Sequence, residues 1–104
     1  GFDWEHVDDV WAKVHEEIDE LKEADKSGDP ERFTDELGDL LFALVNLSRF
    51  EEVWAELALE QTIGKFGRRF RHIEEVARRE KRELSSMTLA EMDAAWEQAK
   101  SQEA

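Results

Sequence analysis

The sequence lacks the residues that shape disulfide-rich and β-rich proteins. It has no cysteine, which excludes a disulfide framework and a thiolate metal site. Only one proline and five glycines interrupt its 104 residues, and alternating strand patterns are absent. No apolar run is long enough to span a membrane, and no signal peptide is visible. We therefore expect one all-α domain over residues 1–104, cytoplasmic and without a membrane partner.

Charge is abundant but unevenly distributed. The net charge of −13 argues against general nucleic-acid binding. Residues 65–82 carry eight basic and three acidic residues, a net +5, whereas the remainder carries six basic and 24 acidic residues, a net −18. A local basic strip on an acidic chain suits a small anion. The alternative is a solvated helix face that is rich in arginine.

Helical spacing and end signals predict the first two helices. Asp3 is the expected N-cap of the first, with Phe2 packing on Val7 as a hydrophobic staple. Ser27–Gly28 should end this helix, and Asp29–Pro30 should begin the second as N-cap and first residue.

The remaining chain predicts two more helices. The third should run from about Glu56 to Arg82, although Gly64 and Gly67 interrupt its pattern. The fourth should begin with a capping box formed by Thr88 and Glu91. The tail after Lys100 is expected to fray.

The second helix is apolar almost all round from Leu37 to Leu47. Helices of this kind lie in a core or in an oligomer interface. Four or five helices of this size make a bundle, but a short chain covers such a helix poorly. A homodimer that buries part of it is the expected solution.

Two acidic pairs at i, i+3 spacing are the main candidates for chemistry: Glu17 with Glu20, and Glu36 with Asp39. Residues at this spacing share one helix face. Asp39 is the only charge between Leu37 and Ser48, so we expect it to be buried. Two antiparallel helices would bring four carboxylates together, and such an all-oxygen set suits Mg²⁺, Mn²⁺ or Ca²⁺ better than zinc.

Glu17 carries the stronger signal of its pair. Counting about 100° per residue places it in the middle of the apolar stripe that contains Val10, Val14 and Leu21. The alternative is a structural ion pair between Glu17 and a buried Arg or Lys. A di-iron bundle is disfavoured, because no histidine stands three residues after a glutamate.

These residues resemble those of the MazG family of nucleoside triphosphate pyrophosphohydrolases. The family signature is E-x-x-E, a spacer and E-x-x-D, which matches EEIDEL at 16–21 and DELGDLLFALVNLSR at 35–49. KFGRRF at 65–70 and TLAEMDAAW at 88–96 extend the likeness. The opening GFDW is similar to the start of the catalytic C-terminal half of two-domain members, so the chain is expected to be that half or a single-domain relative.

The resemblance implies an all-α dimer of the dimeric dUTPase-like superfamily. Members cleave an NTP or dNTP between the α and β phosphates into NMP and pyrophosphate, in house-cleaning or control of nucleotide pools. It further implies Mg²⁺, with Mn²⁺ as a substitute, bound by a set of four carboxylates: Glu17, Glu20, Glu36 and Asp39. Lys65 and Arg69 would contact the triphosphate and stabilise the leaving pyrophosphate, and Trp96 would lie near the nucleotide.

Some alternatives stay open at this point. A catalytically silent regulator with the same fold could bind a nucleotide or a partner protein. Trp96 could be an ordinary core residue beside Leu89 and Met92. The segment FEEVWAE at 50–56, where the family usually has a glycine-containing turn, is expected to extend a helix.

Overall fold

The computed structural model describes residues 1–103, and every regular element in them is helical. The α-helices are α1 (Val7–Ser27), α2 (Pro30–Phe50), α3 (Ala55–Arg79) and α4 (Leu89–Ser101), with a 3₁₀ turn at Leu84–Ser86. The all-α prediction is confirmed. Within residues 1–103, no helix combines the length and apolar character needed to cross a bilayer. The chain divides into two compact units, one of residues 1–58 and one that begins at residue 59. A single domain over 1–104 stays a prediction.

The first unit is built on an antiparallel α1–α2 hairpin, whose turn forms as predicted. Gly28 ends α1 in the left-handed conformation, φ 70°, which costs glycine little. Its N–H donates to the Asp25 carbonyl at 3.2 Å. The Asp29 side chain then accepts from the Glu31 N–H at 3.0 Å, and Pro30 is the first residue of α2.

The hairpin has a small core of four buried side chains: Val10, Val14, Ala43 and Leu47. They come from the N-terminal half of α1 and the C-terminal half of α2. The acidic positions Glu17, Glu20 and Glu36 therefore lie between this core and the turn.

The second unit pairs α3 with α4 around four buried side chains: Ile73, Ala77, Met87 and Ala95. The predicted capping box is confirmed, because Glu91 N–H donates to Thr88 Oγ1 at 3.1 Å and Thr88 N–H donates to Glu91 Oε1 at 3.0 Å. Arg82 adds an ion pair to Glu91, which links the segment after α3 to the start of α4.

The predicted start of α1 is wrong. The helix begins at Val7, and its N-cap His6 makes no side-chain capping bond. Asp3 is occupied elsewhere, because its Oδ1 accepts from Arg49 Nη2 at 2.7 Å and from the Trp4 N–H at 2.8 Å. Phe2 is fully exposed, so the expected staple on Val7 does not form.

Other helix ends also differ from the predictions. The segment 50–56 does not extend a helix, because α2 ends at Phe50 and Glu52 adopts a left-handed conformation, φ 57°. The third helix passes unbroken through both of its glycines but stops at Arg79, and Lys81 is left-handed, φ 54°. The tail is not frayed at Glu103, which forms an ion pair with Arg69.

The apolar run of α2 is not buried within the single chain. The expectation that it lies in a core is therefore wrong for the single chain, and the expectation of an oligomer interface stays a prediction. Its large apolar side chains are exposed: Leu37, Leu41, Phe42, Leu44 and Val45. Asp39 is exposed as well, so the prediction of its burial is wrong for the single chain. Ala43 and Leu47 are the buried residues of α2 in the core with α1, and the half-buried Leu40 and Phe50 pack against the same core.

Candidate functional site

Three carboxylates converge on the α1–α2 hairpin. Glu17 and Glu20 come from α1 and Glu36 from α2, and one oxygen of each lies within 4.8 Å of one oxygen of the others. The antiparallel hairpin produces this geometry, because the three residues lie about one to two turns from the core residues Val14 and Ala43, on the side of the inter-helix turn. We call these three residues the acidic cluster.

Glu17 is the most buried member, with 4% of its surface exposed. Its predicted place on the apolar face of α1 is confirmed. Lys13 Nζ lies 3.0 Å from Glu17 Oε1, so the alternative of an ion pair applies to one of its two oxygens. Oε2 is buried and has no hydrogen-bond partner. A buried carboxylate oxygen without a partner is costly, so Lys13 leaves the site incompletely satisfied.

Glu36 is under a similar constraint. Its Oε2 is also buried without a hydrogen-bond partner. Burial raises the pKa of its carboxyl above the ordinary value, and the neighbouring carboxylate of Glu20 raises the pKa further, followed by Asp39 and Glu17. The acidic cluster therefore concentrates negative charge that Lys13 neutralises only in part.

This donor set fits a divalent cation that prefers oxygen ligands. Two buried oxygens without partners and a third carboxylate in reach could all coordinate one ion. A bound cation would replace like-charge repulsion by attraction, which is the usual solution for buried charge. Carboxylate ligands alone suit Mg²⁺, Mn²⁺ or Ca²⁺.

Asp39 belongs to a second, overlapping group. It lies with Asp35 and Glu36, with one oxygen of each within 4.8 Å of the others. Asp39 and Asp35 are exposed, whereas Glu36 is half-buried and common to both groups. The structure thus brings the four predicted carboxylates to one region and places Glu36 at its centre.

A cationic site lies on the α3–α4 pair. Arg69 is 8% exposed and donates from Nε to Glu103 Oε1 at 2.9 Å and from Nη2 to Glu103 Oε2 at 2.8 Å. Its guanidinium carbon is 5.2 Å from the centre of the Trp96 ring. Such a two-pronged pair, backed by an aromatic face, is a strong form of arginine recognition.

Trp96 is half-buried and packs against Phe66 as well, with their ring centres 5.3 Å apart. It thus holds one face of Arg69 in place and keeps part of its surface accessible. Both expectations for Trp96, core packing and a place beside a ligand, are compatible with this position.

Further positive charge surrounds Arg69. A groove of about 300 Å³ is lined by three arginines, Arg68, Arg69 and Arg71, and by two acidic residues, Glu75 and Glu103. The hydrogen bonds from Arg69 hold the pKa of Glu103 below its ordinary value, and the charges of Arg68 and Lys65 lower that pKa further. Within residues 1–103 neither Lys65 nor Arg68 forms an ion pair closer than 4.0 Å.

Comparison with known proteins identifies the family. The family model described as MazG nucleotide pyrophosphohydrolase domain matches residues 6–74, well over half of the chain. The chain belongs to the MazG family. It is 43% identical over 100 residues to the nucleoside triphosphate pyrophosphohydrolase/pyrophosphatase MazG of Thermotoga maritima, across 96% of this chain and 38% of that protein.

A second MazG relative gives the same result. The nucleoside triphosphate pyrophosphohydrolase of Escherichia coli K12 is 41% identical over 105 residues, across 99% of this chain and 40% of that protein. The chain therefore spans about two fifths of the length of these curated relatives. The MazG match includes the acidic cluster, Asp39, Lys65 and Arg69, whereas Trp96 and Glu103 lie beyond its last residue.

Sequence reasoning missed three residues that contact the MazG signature residues. Asp35 could have been found, because it is four residues before Asp39 and adjacent to Glu36. Lys13 could also have been found, since it is four residues before Glu17. Glu103 gave no local signal, because it lies 34 residues from Arg69 in the chain.

Proposed function

We propose that this chain hydrolyses nucleoside triphosphates between the α and β phosphates, giving NMP and pyrophosphate. The observation that carries the proposal is the acidic cluster, with the buried, partnerless oxygens of Glu17 and Glu36, in a chain of the MazG family. The names of the Thermotoga maritima and Escherichia coli relatives support the reaction class. House-cleaning or control of nucleotide pools in the cytoplasm is the role that goes with it.

The proposal assigns Mg²⁺, with Mn²⁺ as a substitute, to Glu17, Glu20 and Glu36, with Asp39 as the fourth ligand. When bound there, the cation would neutralise phosphate charge and lower the pKa of bound water. Glu20 or Glu36 would orient the attacking water, since both belong to the cluster and are less buried than Glu17. Glu17, held at one oxygen by Lys13, would fix the position of the site.

Lys65 and Arg69 are the proposed ligands of the triphosphate. Arginine binds phosphate in the two-pronged geometry that Arg69 already uses with a carboxylate. Lys65 contributes a second positive charge that has no ion-pair partner within the described chain. Both would stabilise the charge that develops on the leaving pyrophosphate. Trp96 would stack beside the nucleotide.

The direct test supplies each of the eight common NTPs and dNTPs with Mg²⁺ and separates the products. NMP with pyrophosphate is the expected outcome, and Glu17→Gln is the matched inactive variant. NDP with inorganic phosphate would contradict the assigned bond. No hydrolysis of any of the eight would contradict the activity itself.

One observation favours the alternative of a catalytically silent regulator. Arg69, a proposed phosphate ligand, is engaged by Glu103. A silent regulator would bind nucleotides in a calorimeter and release no product in the hydrolysis assay. The same protein preparation therefore separates the two functions.

We also propose that the chain acts as a homodimer. The exposed apolar face of α2 supports this, since Phe42 is 72% exposed and its neighbours Leu41 and Val45 are more than half exposed. Patches of this kind usually mark association surfaces. Sedimentation should give a dimer for the wild type and a monomer for Phe42→Asp. A wild-type monomer at micromolar concentration would contradict the proposal.

A further inference from the structure

The strongest unassigned feature is the contact between Arg69 and Glu103. Both guanidinium nitrogens that point toward Glu103 are occupied, at 2.9 and 2.8 Å from its two carboxylate oxygens. Arg69 is buried, yet the Glu103 side chain is about one third exposed. The carboxylate thus reaches a buried cation from the solvent side, as an external anion would.

Glu103 is attached in a way that allows it to leave. It lies two residues beyond the last residue of α4, and its N–H donates to the Lys100 carbonyl at 3.3 Å, a long hydrogen bond. Within residues 1–103, its side chain forms hydrogen bonds with Arg69, and the backbone N–H groups of Gln102 and Glu103 donate to carbonyls at the end of α4. Movement of Gln102 and Glu103 would therefore disturb little of the α3–α4 core.

Arg69, by contrast, cannot lose its partner without a replacement. A buried guanidinium left without an anion is strongly disfavoured. The surrounding charges of Lys65 and Arg68 act on the same place. The site consequently has two satisfactory states, one with the carboxylate of Glu103 and one with an anion from solution.

We propose that Glu103 is an intramolecular competitor of the polyphosphate group. The polyphosphate must displace Glu103 from Arg69 in order to bind there. This inference rests on the proposed function, in which Arg69 is a triphosphate ligand. It explains how Arg69 stays buried and ordered before substrate arrives. It also predicts that the chain binds polyphosphate more weakly than the same cationic site would without Glu103, because binding must replace both Arg69–Glu103 hydrogen bonds.

The test measures binding of inorganic tripolyphosphate by calorimetry in EDTA, so that divalent cations do not contribute. Glu103→Gln should bind about fivefold more tightly than the wild type, since a neutral amide competes less well for the guanidinium. Glu103→Asp should also bind more tightly, because its carboxylate is one methylene shorter in reach and cannot approach the Arg69 guanidinium as closely. Circular dichroism on both variants checks the fold.

Two controls separate competition from a general charge effect. Glu97 lies close enough for its charge to act on Arg69 but is not one of its hydrogen-bond partners, so Glu97→Gln should change the dissociation constant by less than about twofold. In an Arg69→Ala background, adding Glu103→Gln should give no gain. Equal or weaker binding by Glu103→Gln, or an equal gain in Glu97→Gln, would overturn the proposal.

Hydrolysis measured on the same preparations keeps the two claims apart. A binding gain in Glu103→Gln without any hydrolysis of NTPs would refute the proposed activity and support the competition. Hydrolysis by the wild type without a binding gain in Glu103→Gln would support the activity and overturn the competition.

Discussion

In the α1–α2 hairpin, three carboxylates lie close together, and one lysine contacts one of their oxygens. In the α3–α4 pair, by contrast, a buried arginine donates from two of its nitrogens to one carboxylate. The first site keeps like charges together, and its buried oxygens lack partners. The second has paired opposite charges. The first should therefore gain stability from a cation, while the second should exchange one anion for another.

The largest expected effect comes from breaking the acidic cluster. Glu17→Gln keeps the size of the side chain but removes an anionic ligand, so hydrolysis should fall by roughly two to three orders of magnitude. Asp39→Asn should also lower the rate of hydrolysis. Pyrophosphate release from an NTP with Mg²⁺ is the measurement.

Glu16→Gln is the matched control for Glu17→Gln. Glu16 is exposed on the neighbouring position of α1, so the same chemical change should leave activity close to that of the wild type. Near-normal hydrolysis by Glu17→Gln would remove Glu17 from the metal site.

A smaller effect is expected from the cationic site. Lys65→Ala should lower turnover of all NTPs by a similar factor, roughly ten- to a hundredfold, because every substrate carries the same phosphates. Trp96→Ala should change the ranking of a purine against a pyrimidine triphosphate as well as the rate, since stacking depends on the ring. Arg78→Ala, an exposed change farther along α3, is the control. If Lys65→Ala altered the base ranking while Trp96→Ala lowered only thermal stability, the two roles would have to be withdrawn.

The paired charges of the second unit also predict an acid-sensitive contribution to stability. Arg82, with help from the Thr88 cap, lowers the pKa of Glu91 from 4.5 to about 2. A depressed folded-state pKa means that the stabilisation is present above the unfolded pKa and is lost as the pH falls toward about 2. Urea unfolding across this window should show a decline that Glu91→Gln reduces. An identical pH dependence in both proteins would contradict the assignment.

The smallest effect concerns the turn after α2. Glu52 has φ 57°, a conformation that strains residues with a Cβ, so Glu52→Gly should raise the melting temperature by roughly 2–4 °C. Glu51 has φ −91°, so Glu51→Gly gains no such relief and should lower it. A lower melting temperature for Glu52→Gly would contradict this, and would show that the Glu52 side chain stabilises the turn.

Features set by neighbouring residues were predictable from the sequence. The Gly28–Pro30 turn and the Thr88–Glu91 capping box depend on local backbone chemistry, and both form as predicted. The place of Glu17 followed from helical periodicity, because its neighbours on the same face are the core residues of α1.

Features set by distant residues were not predictable in the same way. Asp3 looked like an N-cap, but Arg49, 46 residues away, binds its carboxylate. The Arg69–Glu103 pair likewise joins α3 to the segment after α4 through side chains that no local pattern connects. The apolar run around Asp39 predicted burial, but hydrophobicity does not reveal whether the covering surface belongs to the same chain.

The central claim is that the acidic cluster is a divalent-cation site whose carboxylates repel one another without the ion. Thermal unfolding with saturating Mg²⁺ or Mn²⁺, against NaCl at equal ionic strength, tests it most directly. The wild type and Glu16→Gln should melt several degrees higher with the divalent cation, and Glu17→Gln should lose most of that rise. An unchanged melting temperature in the wild type, or an equal rise in Glu17→Gln, would contradict the account.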